Sequence, residues 1–240
     1  MMPFHVYCFP FAGGSRYSYL LYTKAARDLK LIPLDYPGRG FRAGEPLLRD
    51  LHEIADDCLG QIRHRLGEPY AIYGHSMGAV VGYLVTKRII REGLGRPEIL
   101  FFSGRGGPSI GYPEKMRYLL PTSDFRDLLR AMGGNSDEVL DNEELMSFFE
   151  PIIRADFEAL ETCRYVPGEA FDIPITVMIG ADENVTLEHA YAWQRETTER
   201  IDVRLFPGKH FFIFDHAADV VRLMEHKIAN LNIDIQNTRS

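Results

Sequence analysis

Ser76 stands between two glycines. It falls in the stretch AIYGHSMGAVVGYL (71–84), where Gly74, Ser76 and Gly78 form a G-x-S-x-G pattern. The pattern alone arises by chance in chains of ordinary composition, so its context carries the weight. Here a short apolar run precedes Gly74 and a longer apolar run follows Met77. A serine on a sharp strand-to-helix turn has a strained backbone and needs small neighbours. Such a turn aims the hydroxyl out of the sheet and puts a helix N-terminus beneath it, where free N–H groups favour developing negative charge. Ser76 is therefore the candidate nucleophile for covalent acyl chemistry.

A serine hydroxyl needs a general base near neutral pH. After such an elbow the chain order is serine, acid, histidine. Of the eight histidines, His189, His210, His216 and His226 come late enough. His189 falls in a helical stretch, and His216 and His226 on the last one. His210 lies in FPGKHFFIF, a glycine-containing loop before the last helix, and is the predicted base. The acid should leave the apolar strand at 173–180. GADENV offers Asp182 first and Glu183 as the alternative. The acid would hold the imidazole tautomer and stabilise the imidazolium. For an oxyanion hole, one backbone N–H is expected from Met77. The second is expected from FPFAGG after the first strand, at Ala12, with Phe11 as the near competitor.

These residues need a framework, and the chain alternates strand and helix patterns. Apolar runs at 4–9, 31–34, 70–73, 98–104, 173–180 and 201–206 read as strands. Helical spacing is expected at 17–29, through Leu51, Ile54, Ala55, Cys58, Ile62 and Leu66, at 77–90 and at about 212–231. This predicts an α/β fold with a mostly parallel sheet and helices on both faces. One segment breaks the alternation. Residues 108–166 carry helical patterns without a convincing strand, a glycine pair after DFRDLLRAM, and Pro151, which should split or kink a helix. The chain is thus expected to be one domain over 1–240 with an inserted helical lid at about 108–166. Met116, Leu120, Phe125, Leu129, Met146 and Phe149, together with Phe11, are the candidate acyl-contacting residues. Leu119, Leu128, Leu145 and Phe148 belong to the same apolar set.

Composition narrows the function classes. The 240 residues are 45% hydrophobic and 25% charged, ordinary for a globular chain. A net charge of −7 argues against nucleic acid. No apolar run approaches the ~18 residues of a membrane span, and no signal peptide is recognisable at the N-terminus. Cys8, Cys58 and Cys163 are far apart, which suits a reducing cytoplasm and argues against disulfides and structural zinc. No cluster of metal ligands stands out, so neither metal nor cofactor is expected.

Several segments together resemble the type II thioesterases that accompany polyketide and nonribosomal peptide synthetases. They are CFPFAGGS, YPGRG, YGHSMGA, FFSGR, LLPTSDFRDLLRAMGG, ELMSFFEPIIRADFEALE and FPGKHFFI, in order along nearly the whole chain. HSMGA is widespread among hydrolases, whereas RADFEALE combined with FPGKHFF is far more specific. The resemblance implies an α/β-hydrolase fold with a helical lid. It implies hydrolysis of acyl or aminoacyl thioesters from the phosphopantetheine arm of acyl- or peptidyl-carrier proteins, as editing of misprimed or stalled arms. It implies Ser76, Asp182 and His210 as triad. Two departures stand out: a glycine pair in SGRGGPSIGYP, and a compressed IGADEN that keeps Glu183 as an alternative acid. An acyltransferase with another acceptor, and more remotely a non-catalytic carrier-binding protein, are the rival readings. A monomer is expected. An acidic carrier would need a local basic patch, for which Arg16, Arg105, Lys115, Arg117 and Lys209 are the candidates.

Overall fold

The computed structural model describes residues 4–111, 116–134 and 137–238, with side chains as far as residue 231. Among these, six strands form one sheet: β1 (Phe4–Phe9), β2 (Leu29–Pro33), β3 (Tyr70–His75), β4 (Ile99–Ser103), β5 (Ile175–Gly180) and β6 (Asp202–Phe206). The spatial order is β2-β1-β3-β4-β5-β6, and all five pairings are parallel. Alternate side chains of each strand enter opposite cores, as the period of two requires. Tyr7, Phe9, Ile72, Phe102 and Val177 pack with helices α2 (Leu51–Ile62) and α3 (Met77–Arg91). Val6, Cys8, Tyr73, Phe101 and Met178 pack on the other face with α1 (Leu20–Ala25), α8 (Phe212–Asp215) and α9 (Ala217–Thr238), and the short α7 (Leu187–Tyr191) follows β5.

The chain runs from β1 outward to β2, then returns to β3 on the other side of β1. Strands β1 and β3 therefore flank the reversal point, where open parallel sheets form their ligand crevice. Register places Phe9 beside Gly74, so the loop after β1 emerges next to Ser76.

Between β4 and β5 lies the helical insertion: α4 (Thr122–Met132), α5 (Asp137–Leu140) and α6 (Glu143–Thr162). It has a small core of its own, centred on Phe125, Leu129, Met146, Ile153 and Phe157. The glycine pair ends α4 as expected: Gly133 has φ +74°, and its N–H donates to the Leu129 carbonyl at 3.1 Å. Asn142 caps α6, its side chain accepting from the Leu145 N–H.

Three expectations about the elements need correction. Pro151 does not split α6, which runs unbroken through it. Pro151 sits on the exposed side of the helix, where water can reach the backbone carbonyl that its ring leaves without a donor. The helix expected at 17–29 stops at Ala25, because the amides of Arg27 and Asp28 donate instead to Glu225 of α9, and Leu29 joins β2. The last helix is two, broken at His216, and α9 reaches Thr238.

Candidate active site

The two glycines around Ser76 are explained by contact. A Cβ on Gly74 would lie 2.2 Å from the Gly78 carbonyl oxygen, and one on Gly78 would lie 1.9 Å from that of Phe9. The turn thus closes so tightly that backbone meets backbone at both positions. Ser76 itself has φ +54° and ψ −112°, a conformation that L-residues rarely adopt and that costs on the order of 1–3 kcal/mol. It is held there by its own N–H, which donates to the Ser103 carbonyl at 2.8 Å, and by its carbonyl, which accepts from Ala79. Helix α3 begins at the next residue.

His210 reaches the same place from the loop after β6. Its Nδ1 lies 2.8 Å from Glu183 Oε2, and the other carboxylate oxygen of Glu183 accepts the Gly180 N–H at 2.7 Å. The Glu183 side chain is 2% exposed. The expected acid, Asp182, does not make this contact. Its residue is exposed, and its N–H is bonded to the Gly208 carbonyl at 3.0 Å. That bond turns the chain so that the next side chain, Glu183, swings inward. Gly180 makes the approach possible, since a Cβ there would come within 2.5 Å of both the Gly208 and Lys209 carbonyl oxygens. The carboxylate hydrogen-bonded to His210 is thus that of Glu183.

His75, between Gly74 and Ser76, is fully buried with its ring centroid 4.9 Å from that of His210. Its Nδ1 meets the Ser103 hydroxyl at 2.9 Å, which meets the Tyr73 hydroxyl at 3.0 Å, which in turn meets Tyr22. Burial, and secondarily His210, hold the His75 imidazole well below its ordinary value of 6.5. The folded protein therefore leaves His75 neutral where the unfolded chain protonates it. The resulting stability is complete above pH ~6.5 and declines as pH falls, by up to about 1.4 kcal/mol per pH unit. His75→Gln should flatten this decline in urea unfolding at pH 7, 6 and 5; parallel slopes for both proteins would refute the assignment.

The loop after β1 is held by a buried ion pair. The Asp156 carboxylate on α6 takes the Arg39 guanidinium in a two-pronged contact, one arm at 2.8 Å, and also accepts the Gly13 N–H at 2.7 Å. Arg39 is 3% exposed and Asp156 0%. The insertion is thereby bonded to the backbone beside Ala12. Removing one member of a buried pair strands the other charge, at about 3–5 kcal/mol. Asp156→Ala should lower the urea unfolding free energy by that amount, and Arg39→Met with Asp156→Leu by less. A loss under about 1 kcal/mol for Asp156→Ala would show that the pair is dispensable.

Ser76 and His210 line one small cavity, about 60 Å³, with Phe11, Ala12, Gly13 and Phe211 below and the insertion above. Of the residues expected to contact an acyl group, Phe11 and Leu129 line it. Phe125 and Met146 do not; they are buried in the core of the insertion. Leu120 and Phe149 pack against that core, as does Leu128. Met116, Leu119, Leu145 and Phe148 are exposed. The sequence reading missed Met132, Gly133, Ile153, Phe157 and Leu160, which complete the wall. Helix α6 carries three of these positions, Ile153, Phe157 and Leu160, but helical period alone does not say which stripe faces the serine.

Among the candidate patch residues, Arg117 lies in the cavity wall, its Nε donating to Glu161 at 2.5 Å. Arg16 stacks over the Phe41 ring at 4.1 Å and Lys209 is exposed beside His210. Lys115 lies outside the described residues. Among the described residues no group of three or more His, Cys, Asp or Glu could hold a metal, and no helix is long and apolar enough to cross a membrane.

Known proteins share this arrangement. Residues 4–228 match the family described as a thioesterase domain. The gramicidin S biosynthesis protein GrsT of Aneurinibacillus migulanus is 31% identical over 221 residues, covering 91% of this chain and 86% of GrsT. The solved type II thioesterase BorB, from the borrelidin biosynthetic cluster, is 32% identical with a TM-score of 0.86, over 94% of this chain and 92% of BorB. ClbQ, from the colibactin pathway, is 30% identical with a TM-score of 0.91, over 96% and 99%. With an all-parallel α/β-hydrolase-like sheet, a serine elbow and this breadth of match, the chain belongs to the thioesterase family and is a thioester hydrolase of the type II kind.

Proposed function

We infer that the protein clears acyl or aminoacyl groups from the phosphopantetheine arms of carrier proteins in a polyketide or nonribosomal peptide assembly line, by a Ser76–His210–Glu183 triad. The observation that carries this reading is the Glu183–His210 hydrogen bond at 2.8 Å, in a cavity shared with a serine at φ +54°. With Nδ1 engaged by Glu183, Nε2 of His210 is left to take the Ser76 proton as its oxygen attacks the thioester carbonyl. The carbonyl becomes a tetrahedral oxyanion. Its donors in this reading are the N–H of Met77, at the first position of α3, and that of Ala12, with Phe11 as the alternative. The Gly13 N–H is already given to Asp156. The pantetheine thiol leaves with the proton from His210. Water then attacks the acyl-serine, giving its proton to His210, and the acid departs.

The insertion acts here as a lid, on a single domain, over a cavity lined by its helices α4 and α6. A carrier partner and a cytoplasmic site of action belong to the same reading, the latter on the three dispersed cysteines. The test compares one acyl group on a loaded carrier protein and on N-acetylcysteamine. The carrier substrate should show the higher kcat/KM, and that advantage should shrink with salt, since exposed charges are screened beyond ~10 Å at 0.1 M. Equal rates and equal salt dependence would remove the carrier from the reading. Product appearing on an added alcohol or amine instead of water would make the protein an acyltransferase.

A further inference from the structure

A second, larger cavity of about 270 Å³ lies beyond the serine cavity. Leu160 of α6, buried at 4% exposure, is the residue common to both walls among the described residues. The floor of the second cavity is one stripe of α3. Val80, Tyr83 and Leu84 come first along it, then Lys87, Arg88 and Arg91. At a rise of 1.5 Å per residue the stripe from Val80 to Arg91 is about 16 Å long. It is apolar at one end and cationic at the other. Arg105 and Arg164 add positive charge from two further segments.

Among the described residues no aspartate or glutamate lines this cavity, in a chain with 34 acidic and 27 basic residues. The cations also converge. Burial, and after it the Asp50 carboxylate, raise the Cys163 thiol in the cavity wall, and Arg105, Arg164 and Arg88 all act electrostatically against them. Arg88 is fixed in place by Asp56 and by the His52 and Leu84 carbonyls. Asp56 offsets the charge of Arg88, while Lys87, Arg91 and Arg164 keep the lining of this concave, partly apolar space cationic, and an anion placed among like charges relieves their repulsion.

We propose that this cavity is a second substrate subsite, which takes an anionic group carried at the end of an apolar chain, with Leu160 as the wall between it and Ser76. The proposal rests on the thioesterase reading for the identity of the chain. The anion has two possible sources, the phosphate of the pantetheine arm or a carboxylate at the far end of the acyl group.

The first experiment needs no turnover. In Ser76→Ala protein, Cys163 is alkylated with iodoacetamide near pH 9; Cys8 and Cys58 are fully buried, while Cys163 is half-buried. Protection by S-methyl-4′-phosphopantetheine but not by S-methylpantetheine, whose capped sulfurs cannot consume the reagent, assigns the anion to the arm. Protection by the octanedioyl half-thioester of N-acetylcysteamine but not by its octanoyl thioester assigns it to the acyl group. Either protection should be severalfold and should vanish in Arg91→Glu/Arg164→Glu. Equal protection by charged and neutral probes, or none by any probe, overturns the subsite whatever becomes of the thioesterase reading. The second experiment tests the wall. Leu160→Ala should raise kcat/KM for the octanedioyl thioester about tenfold relative to acetyl, and Leu160→Val should raise it less. An unchanged ratio in both variants removes Leu160 from that role.

Discussion

Ser76→Ala lowers thioester hydrolysis by about 10⁴-fold or more while the protein unfolds at the wild-type urea midpoint. The size follows from the chemistry: without the oxygen there is no acyl-enzyme, and triad members fail as a unit. Unchanged stability follows from the geometry. Ser76 makes no side-chain capping bond to α3, so its hydroxyl is not holding the helix end. Alanine meets the same φ of +54° with a side chain of similar bulk at Cβ. Steady-state rates on acetyl-N-acetylcysteamine, read beside urea unfolding curves, check both halves. A variant retaining a tenth of the wild-type kcat/KM would exclude Ser76 as nucleophile.

Glu183→Gln should cost about 10³–10⁴-fold in kcat/KM, and Asp182→Asn less than about threefold. An amide in place of the Glu183 carboxylate keeps the shape but cannot stabilise an imidazolium, and it can offer His210 Nδ1 a donor, selecting the wrong tautomer. It also weakens the acceptor for the Gly180 N–H. The Asp182 side chain is on the surface, and its backbone bond to Gly208 survives the substitution. Measuring both variants on one substrate decides the matter, and a larger loss from Asp182→Asn would return the acid role to Asp182.

These two neighbouring carboxylates show where a sequence stops being legible. The elbow is readable because its requirements are local: a strand, two glycines that backbone contact enforces, and a helix. The inner strands are readable for the same reason, since β3, β4 and β5 are buried along their whole length, whereas the edge strands β2 and β6 carry Lys30, Asp202 and Arg204. The choice between Asp182 and Glu183 is not local. It depends on the Gly208 carbonyl, 26 residues away, pulling one amide and thereby rotating the next side chain. Pro151 is similar: whether a proline breaks a helix depends on which side faces water. In the insertion, the apolar positions of α4 and α6 are evident, but Phe125 and Met146 serve its own core alone, whereas Leu129 and Phe157 share that core and also line the serine cavity, and Leu160 lines both cavities. Only packing against the sheet separates these sets. The second cavity draws on four separate stretches, of which the α3 stripe alone is periodic.

The Asp156 pair divides the insertion into a doorpost and a door. For α6 to swing away, a guanidinium and a carboxylate that are both out of water would have to part, along with the bond to Gly13, at several kcal/mol. Helix α4 is joined to α5 and α6 on the outside by ion pairs of Arg126 and Arg130 with exposed carboxylates such as Glu143 and Asp137, each worth about 0–1 kcal/mol. It supplies Leu129 and Met132 to the roof of the serine cavity. Displacing α4 would break no buried ion pair and would leave the backbone beside the nucleophile in register, but it would uncover Phe125 and Leu129 from the core of the insertion. On the lid reading, covering the cavity and holding the backbone beside the nucleophile fall to different helices of one insertion, so substitutions on the outer face of α4 would change access more than the chemistry below.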